Sequence, residues 1–585
     1  MPDKQPAQVI IEKIKITLFR PNIFYLLTFL TLLISTFLIN RYYIYYANQS
    51  LQIPLVNLLN DTSLYPNDPF VATLPNYSSK LWPLVALANR YIPLEPLFFS
   101  LLLLEKILLL YAAGNLAKTF VPNSWLAMFG TMAMFAVGVK PIFGEGTIVT
   151  NYLEQTGLAI PFFLLAISSF YKARPIAWAI WLSIGFNLNS MYGVYAITYC
   201  GAFFILDVNY RQEWKKWLAA FGLFLLLASP AILHTLSAFS RTSTNNDLWL
   251  IACQLFYPWH FYPHVWSPKG IALFAVLLFI VVALVYKNKH KLEKLFKFVT
   301  IATVVSVIWL LYAVLAAYVA KSPSMLVMHP VRGTDFWYCI AGTALVSICG
   351  IGIEENRSSQ RRYIYAAAFA ATIIILHPMV ESYIVYIVGF FLIAVLLKPV
   401  RYFILGMEDS KYLSLAITIL ILLIGVTNFG RELAKTGNIN DALIGRPSYV
   451  YEQLADWARL KTSKDAVFLN PPNWGDWTYF RALAKRSVFV NWNDAAAMLW
   501  HRPFVEVWAE RLNALGLDIT EDGLNHLKAR RKLGDLYNKL EDEDVKKMQL
   551  RYSIDYWVVP LKKSSKFAMA FQNQSYKVLD LNQSN

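Results

Sequence analysis

Charge is scarce in this chain. Asp, Glu, Lys and Arg supply 15% of its 585 residues, where soluble domains carry about 25%. That shortage argues against an ordinary water-facing surface over the whole molecule. Cysteine is scarce as well: Cys200, Cys253, Cys339 and Cys349 fall within or beside apolar runs, so neither a disulfide framework nor a thiolate metal site is indicated. Internal repeats and low-complexity segments are absent, which excludes solenoids and disordered tails.

What the chain has in quantity is hydrophobicity, at 57% of residues, with 18 Trp, 34 Tyr and 38 Phe. Runs such as "PNIFYLLTFLTLLISTFLIN" and "SLAITILILLIGV" reach or approach the length that crosses a hydrocarbon core of about 30 Å as helix. The fold class expected is a polytopic all-α membrane protein with a small C-terminal α/β domain. Spans are expected near 22–40, 96–115, 122–138, 157–170, 175–188, 191–206, 217–232, 269–286, 298–319, 335–353, 363–376, 383–397 and 412–428, about 13 in all.

Positive charge orients these spans. Lys4, Lys13, Lys15 and Arg20 precede the first, and Lys287, Lys289, Lys291, Lys294 and Lys297 crowd one later loop. Loops of the opposite parity hold far fewer, among them Arg41, Lys80, Lys140 and Arg332. The N-terminus is therefore expected to be cytoplasmic and, with an odd number of spans, the C-terminal tail extracytoplasmic. The first span is longer than a signal-peptide core and lacks a small-x-small exit, so an uncleaved anchor is expected. A net charge of +16 would suggest nucleic acid in a soluble protein. Here it gathers on the cytoplasmic face, where anionic headgroups account for it.

Two regions follow. Residues 1–429 form the multispan domain, with long outer loops at 41–95, 139–156, 233–268 and 320–334. Residues 430–585 form the tail, where "RPSYVYEQLADWARLKT" predicts a helix, "DAVFL", "SVFVNW", "IDYWVVP" and "YKVLDL" predict strands, and helical stretches stand near 495–515 and 524–548. Strands separated by helices predict an α/β unit. The tail has no phosphate-cradling glycine loop, no Gly-x-Ser-x-Gly elbow and no metal-ligand spacing. A lid or docking domain without chemistry of its own is the expectation.

The polar residues of the outer loops carry the functional question. The first loop offers Asp61 and Asp68, the latter in "YPNDPF". Both have a plain reading as turn residues. Asp68 also has a chemical one, since a carboxylate beside the membrane surface can take a proton from a hydroxyl or bind a divalent cation. The second loop offers Glu145 between two glycines, then Glu154. Glycines allow backbone to approach a ligand closely, and equally make a turn. "YPWHFYPHVWSP" sets His260 and His264 four apart, but Pro258 and Pro263 oppose the regular helix that would align them. Sugar or phosphate recognition by imidazole among aromatics competes there with an interfacial aromatic belt.

"MHPVRGTDFWY" crowds His329, Arg332 and Asp335 at the edge of a span. An outer arginine against the charge bias suits an anionic phosphate, and an Arg332–Asp335 pair is the alternative. Glu105 and Lys106 interrupt "FFSLLLLEKILLL" at a depth where charge is costly, so a local pair or a proton path is expected.

This layout, with one span, an acidic first outer loop, a second acidic loop, a late outer arginine and an external α/β tail, resembles the GT-C class of integral-membrane glycosyltransferases. The tail stretch "TSKDAVFLNPPNWGDWTYFRALAKRSVFVNW" followed by "VEVWAERLNALG", together with "YPWHFYPHVW" and "PVRG", is similar to multispan bacterial proteins common in cyanobacteria. The GT-C resemblance implies an inverting transferase in the bacterial plasma membrane. It would move a sugar from a polyprenyl-phosphate-linked donor to an acceptor on the extracytoplasmic face. Asp68 matches the first-loop acid, Glu145 the second and Arg332 the phosphate-binding arginine. His260, His264 and His329 would assist at the lipid phosphate; whether a metal takes part is left open, and a divalent cation (Mg or Mn), if used, would sit at Asp68 and Glu145. Loop one departs from the pattern in lacking Asp-Asp or Asp-x-Asp.

Two other function classes fit the same residues. A transporter or flippase for a lipid-linked or anionic solute would use the outer basic groups for binding and Glu105–Lys106 for coupling. No inverted repeat supports it. A non-catalytic scaffold would leave the polar loop clusters without a reason.

Overall fold

A computed structural model describes residues 21–144, 146, 148–239, 245–356, 361–377, 410–473 and 475–584. Among them, seven helices are long and apolar enough to cross a membrane. Their side chains sort by surroundings. The helix Asp335–Glu355 is apolar all round and buried along nearly its whole length, as a central helix must be. It packs on Trp125–Val137 and Arg361–Ile375. At Gly350 the contact is backbone to backbone: an added Cβ would lie 2.7 Å from the Ala127 nitrogen, the close approach that small residues permit between membrane helices. The peripheral helices Trp214–Phe239, Pro268–Lys287 and Glu293–Val314 turn Leu226, Phe279 and Leu311 outward, at 68%, 72% and 62% exposure. Large apolar side chains displayed in rows suit lipid as solvent.

A helix stands at each expected span position except 383–397, which lies outside the described residues. The helices are unequal, however. Trp125–Val137, Gln155–Tyr171, Pro175–Leu188, Ser190–Leu206 and Ile364–Ile373 are shorter apolar segments. Thirteen residues of α-helix reach only about 20 Å, so among the described residues seven helices are long enough to cross a membrane and shorter ones pack among them.

The tail is built as an α/β layer. Five strands, β3 (Val467–Leu469), β4 (Ser487–Val488), β5 (Tyr556–Pro560), β6 (Phe567–Gln572) and β7 (Tyr576–Ser584), lie in the order β4-β3-β5-β7-β6. β3 runs parallel to β4 and β5, and β7 antiparallel to β5 and β6. The sequence reading omitted β6: its bulges at 567/568 and 569/571 break the alternation of a regular strand. "SVFVNW" forms only two strand residues, because Asn491 and Asp494 close a capping box that turns the chain into the 3-10 helix Trp492–Leu499.

Two features join the tail to the rest of the chain. The helix Ser410–Thr436 runs across 429/430, the boundary expected between the two regions. The tail also packs against the loops. Ile53 and Trp82 of the first loop, Trp249 and Phe256 of the third, and Trp492, Trp508 and Trp557 of the tail belong to one hydrophobic core. A short parallel pair, β1 (Tyr42–Tyr43) on β2 (Ile444–Gly445), ties the end of the first helix to the start of the tail. Arg41 reinforces it with an ion pair to Glu432 at 3.0 Å.

Candidate functional site: a polar cavity between loops and tail

The loops and the tail enclose a cavity of about 320 Å³. Its walls are contributed by distant parts of the chain. Asn76, Tyr77, Ser78 and Ser79 come from the first loop. Gln155 and Thr156 open the helix Gln155–Tyr171, and Phe186, Met191 and Val194 come from the hairpin of Pro175–Leu188 and Ser190–Leu206. Tyr257 and His260 lie in the third loop, His329 and Arg332 in the fourth, and Trp500 and Arg502 in the tail. The hydrophobic helices make one apolar wall, and elsewhere amide, hydroxyl, imidazole and guanidinium groups stand among apolar side chains such as Leu51, Met328 and Leu499.

Arg332 sits in the 3-10 turn Pro330–Thr334. Its Nε is buried without a hydrogen-bond partner, and among the described residues its guanidinium makes no ion pair. It lies 5.9 Å from the Tyr192 ring centre and close against the Gly146 backbone, where an added Cβ would be 2.8 Å from Nη2. Gly146 thus leaves room for the arginine head. Asp335 does not pair with it: the Tyr192 hydroxyl donates to Asp335 Oδ2 at 2.5 Å. The local-pair alternative for Arg332 is therefore not what forms.

A row of tyrosines fixes this segment. Tyr192, Tyr195 and Tyr199 recur at helical spacing on Ser190–Leu206, all buried. The Tyr195 hydroxyl donates to the Met328 and His329 carbonyls, and that of Tyr199 to the Gly333 carbonyl at 2.9 Å. They hold His329 in the left-handed region, at φ 44°, a strained conformation that persists only when neighbours enforce it.

His260 and His329 meet ring to ring at 5.7 Å. Each has a buried Nδ1 with no partner. Burial, then the nearby Arg332 and His329, holds the His260 imidazole well below its ordinary pKa, so it is neutral near pH 7. Glu154 stands just behind the wall. Its Oε2 accepts from Asn48 Nδ2 at 2.8 Å and from the Tyr152 hydroxyl at 3.2 Å, and Asn48 itself lines the cavity. Burial raises the Glu154 pKa against the opposing pull of Asn48 and Arg332.

Of the other expected residues, His264 lies elsewhere. The prolines of "YPWHFYPHVW" split it into the short helix Pro258–Phe261 and the 3-10 turn Pro263–Val265. His264 is thereby turned away from His260 and bonds the Tyr318 hydroxyl at 2.7 Å, outside the cavity. Glu145 lies outside the described residues.

Asp68 is not in the cavity. It forms an Asx-type turn, with Oδ1 accepting from the Phe70 and Val71 amides at 3.1 Å each. Its Oδ2 accepts from Arg481 Nε at 2.5 Å and the Val488 amide at 2.9 Å. Arg481 also forks onto Asp494 at 2.9 and 3.1 Å, with all three side chains buried. A carboxylate has about four lone-pair sites, and here four donors fill them. Asp68 consequently does not fit the role of metal ligand, and no group of three His, Cys, Asp or Glu among the described residues could hold a metal.

Three further charged residues make local contacts. Lys106 Nζ pairs with its neighbour Glu105 at 2.6 Å and bonds the Thr150 carbonyl, while an added Cβ on Gly157 would lie 2.7 Å from Glu105 Oε2. The pair pins helix Leu94–Phe120 to the start of Gln155–Tyr171. Asp61 is surface-exposed beside Lys464 at 2.7 Å.

Glu154 stands in the sequence as the second acid of its loop, whereas sequence reading singles out none of Tyr192, Arg481, Asp494, Trp500 and Arg502 as a site or anchoring residue. The i, i+3, i+7 tyrosines carried a usable signal, since three hydroxyls on one face of an apolar helix need partners. The tail residues carried none locally.

Residues 451–515 match a family model described as a domain of unknown function, DUF6798. The matched stretch holds Arg481 and Asp494, which grip loop one, and Trp500 and Arg502, which line the cavity. A comparison with curated proteins finds no match.

Proposed function

We propose that the protein is a membrane glycosyltransferase that takes a sugar from a polyprenyl-phosphate-linked donor bound in this cavity. The observation that carries the reading is Arg332, a guanidinium that makes no ion pair among the described residues, with Asp335 and Glu154 nearby but out of contact, set in a cavity beside two buried imidazoles. An arginine drawn out of water with a nitrogen left unpartnered is costly unless a ligand completes its bonding. Its planar fork suits phosphate, and the apolar wall from Phe186, Met191 and Val194 suits the donor's hydrocarbon chain.

Glu154 takes the part expected of Asp68. It accepts the proton of an acceptor hydroxyl as that oxygen attacks the anomeric carbon and the bond to the phosphate oxygen breaks. The lipid phosphate departs with the electron pair, and Arg332 stabilises the charge that grows on it. A raised carboxylate pKa favours this work near neutral pH. The amides and hydroxyls of Asn76, Ser78, Gln155 and Asn189 supply donors and acceptors for sugar hydroxyls, and Trp500 a stacking face.

The test is transfer from a polyprenyl-phosphate sugar in detergent, beside thermal stability. Arg332→Lys keeps charge and loses the fork, so transfer should fall by about tenfold or more with the melting temperature held. Glu154→Gln should lower transfer by about 10² to 10⁴. Unchanged transfer in both variants would remove the reading.

A further inference from the structure

Glu105 and Lys106 form a buried ion pair in an otherwise apolar stretch of the helix Leu94–Phe120. Pinning two helices does not need charge, and packed apolar side chains do it without taking two ions out of water. The place of the pair relative to Glu154 supplies a reason. Lys106 Nζ donates to the carbonyl of Thr150, four residues before Glu154. The Glu105 carboxylate lies against Gly157, three residues after it, where an added Cβ would be 2.7 Å from Oε2. Between these two contacts the chain turns into the helix Gln155–Tyr171, with Glu154 at the N-cap position. The pair thus touches the chain on both sides of Glu154.

Other groups face Glu154 as well. Asn48 and Tyr152 donate to its Oε2, and Arg332, Tyr77, Tyr257 and Glu105 stand within electrostatic reach. Burial raises its pKa, and Asn48, Arg332, Tyr152 and Lys106 pull it back. The two cations in this set differ. Arg332 lines the cavity, where a bound anion offsets its charge. Lys106 is buried outside the cavity lining, so its charge persists when a ligand binds. We propose that Lys106 is a positioning residue for Glu154, a fixed cation that keeps the carboxylate in its proton-accepting form once a bound phosphate has offset Arg332, with Glu105 holding Lys106 in place. The inference rests on the reading of Glu154 as the base and names what supports it.

Two single variants separate this role from a merely structural one, because they remove charges of opposite sign. The full chain in detergent can be titrated by pH-difference infrared spectroscopy, with Glu154→Gln as the blank that identifies the Glu154 carboxyl band. Lys106→Met should move the Glu154 midpoint up by about one pH unit. Glu105→Gln should move it down, and it carries the test should Lys106→Met fail to fold. In transfer from a polyprenyl-phosphate sugar, Lys106→Met should lose rate several-fold near pH 7 and regain it about one unit higher, with the donor KM held.

A midpoint that stays in place in both variants, or that moves the same way in both, overturns the proposal and leaves the reading of Glu154 as base standing. Opposed shifts beside undiminished transfer in Glu154→Gln uphold the charge link and overturn the base reading on which its catalytic meaning rests. Opposed shifts beside lost transfer in Glu154→Gln support the two together.

Discussion

Arg481 and Arg332 are both guanidinia drawn out of water, and their surroundings are opposite. Arg481 has a carboxylate on each side, a Phe70 ring 4.7 Å from its carbon and donors matched by acceptors. Arg332 has a buried Nε without a partner, a tyrosine that has given its hydroxyl to Asp335, and space. A satisfied buried network specifies a fold, while a half-satisfied one costs stability unless something completes it. The same residue type thus serves architecture in one place and ligand binding in the other.

The largest effect should come from breaking the satisfied network. Arg481→Met leaves Asp68 and Asp494 buried without their cation and should cost about 3–5 kcal/mol, measured by thermal unfolding in detergent. Asp68→Asn should cost about 1–3 kcal/mol, since the Asx turn survives while the Arg481 contact weakens. Arg332→Gln should stay within about 1 kcal/mol of wild type, because no partner among the described residues is left stranded. If Arg481→Met and Arg332→Gln destabilise equally, the comparison collapses and Arg332 is structural.

A subtler variant sharpens the same contrast. Gly146→Ala places a methyl group 2.8 Å from Arg332 Nη2, which must push the guanidinium aside. Binding of a lipid phosphate should fall several-fold with the melting temperature little changed. Full binding would mean that the arginine head has room to spare and that its placement is not what the glycine protects.

Local grammar made part of this legible. Apolar runs announced the helices, and the Asn67-Asp68-Pro69 stretch announced a turn, which forms. The ion pair of that turn is not legible locally, because Arg481 lies 413 positions from Asp68 and no window of sequence joins them. Arg332 stands out as an arginine in a loop whose parity is expected to carry few positive charges. Arg502 had no such context: an arginine in a tail looks solvated until the fold brings it to the cavity.

Acid should expose a smaller difference. Burial and Arg332 keep His260 neutral, with its pKa held well below the ordinary value of 6.5. Below about pH 6.5 the unfolded chain takes up a proton there and the folded one does not, so folding loses stability as pH falls, by at most about 1.4 kcal/mol per pH unit for one group. His260→Gln should flatten that limb of the stability profile between pH 6.5 and 5. An identical profile would place the imidazole in water.

The smallest effect belongs to Asp61, which shares its loop with Asp68. Its partner Lys464 is 55% exposed and the carboxylate 40%, so solvent screens the pair and exposed pairs contribute little. Hydrogen bonds from Lys464 and Ser63 draw its pKa down from 3.8 to about 2. A depressed acid supports folding above its unfolded pKa and loses that support as pH falls through the folded one. Any contribution should therefore be complete by about pH 4 and vanish toward pH 2, beneath the acid loss expected from His260. Asp61→Asn keeps an acceptor for the Ser63 amide and should leave the melting temperature at pH 7 unchanged, in low salt and in high. A shift as large as that of Asp68→Asn would mean that the loop is held by its rim as firmly as by its interior. The division between the two aspartates, one settled by burial and the other by solvent, would then be lost.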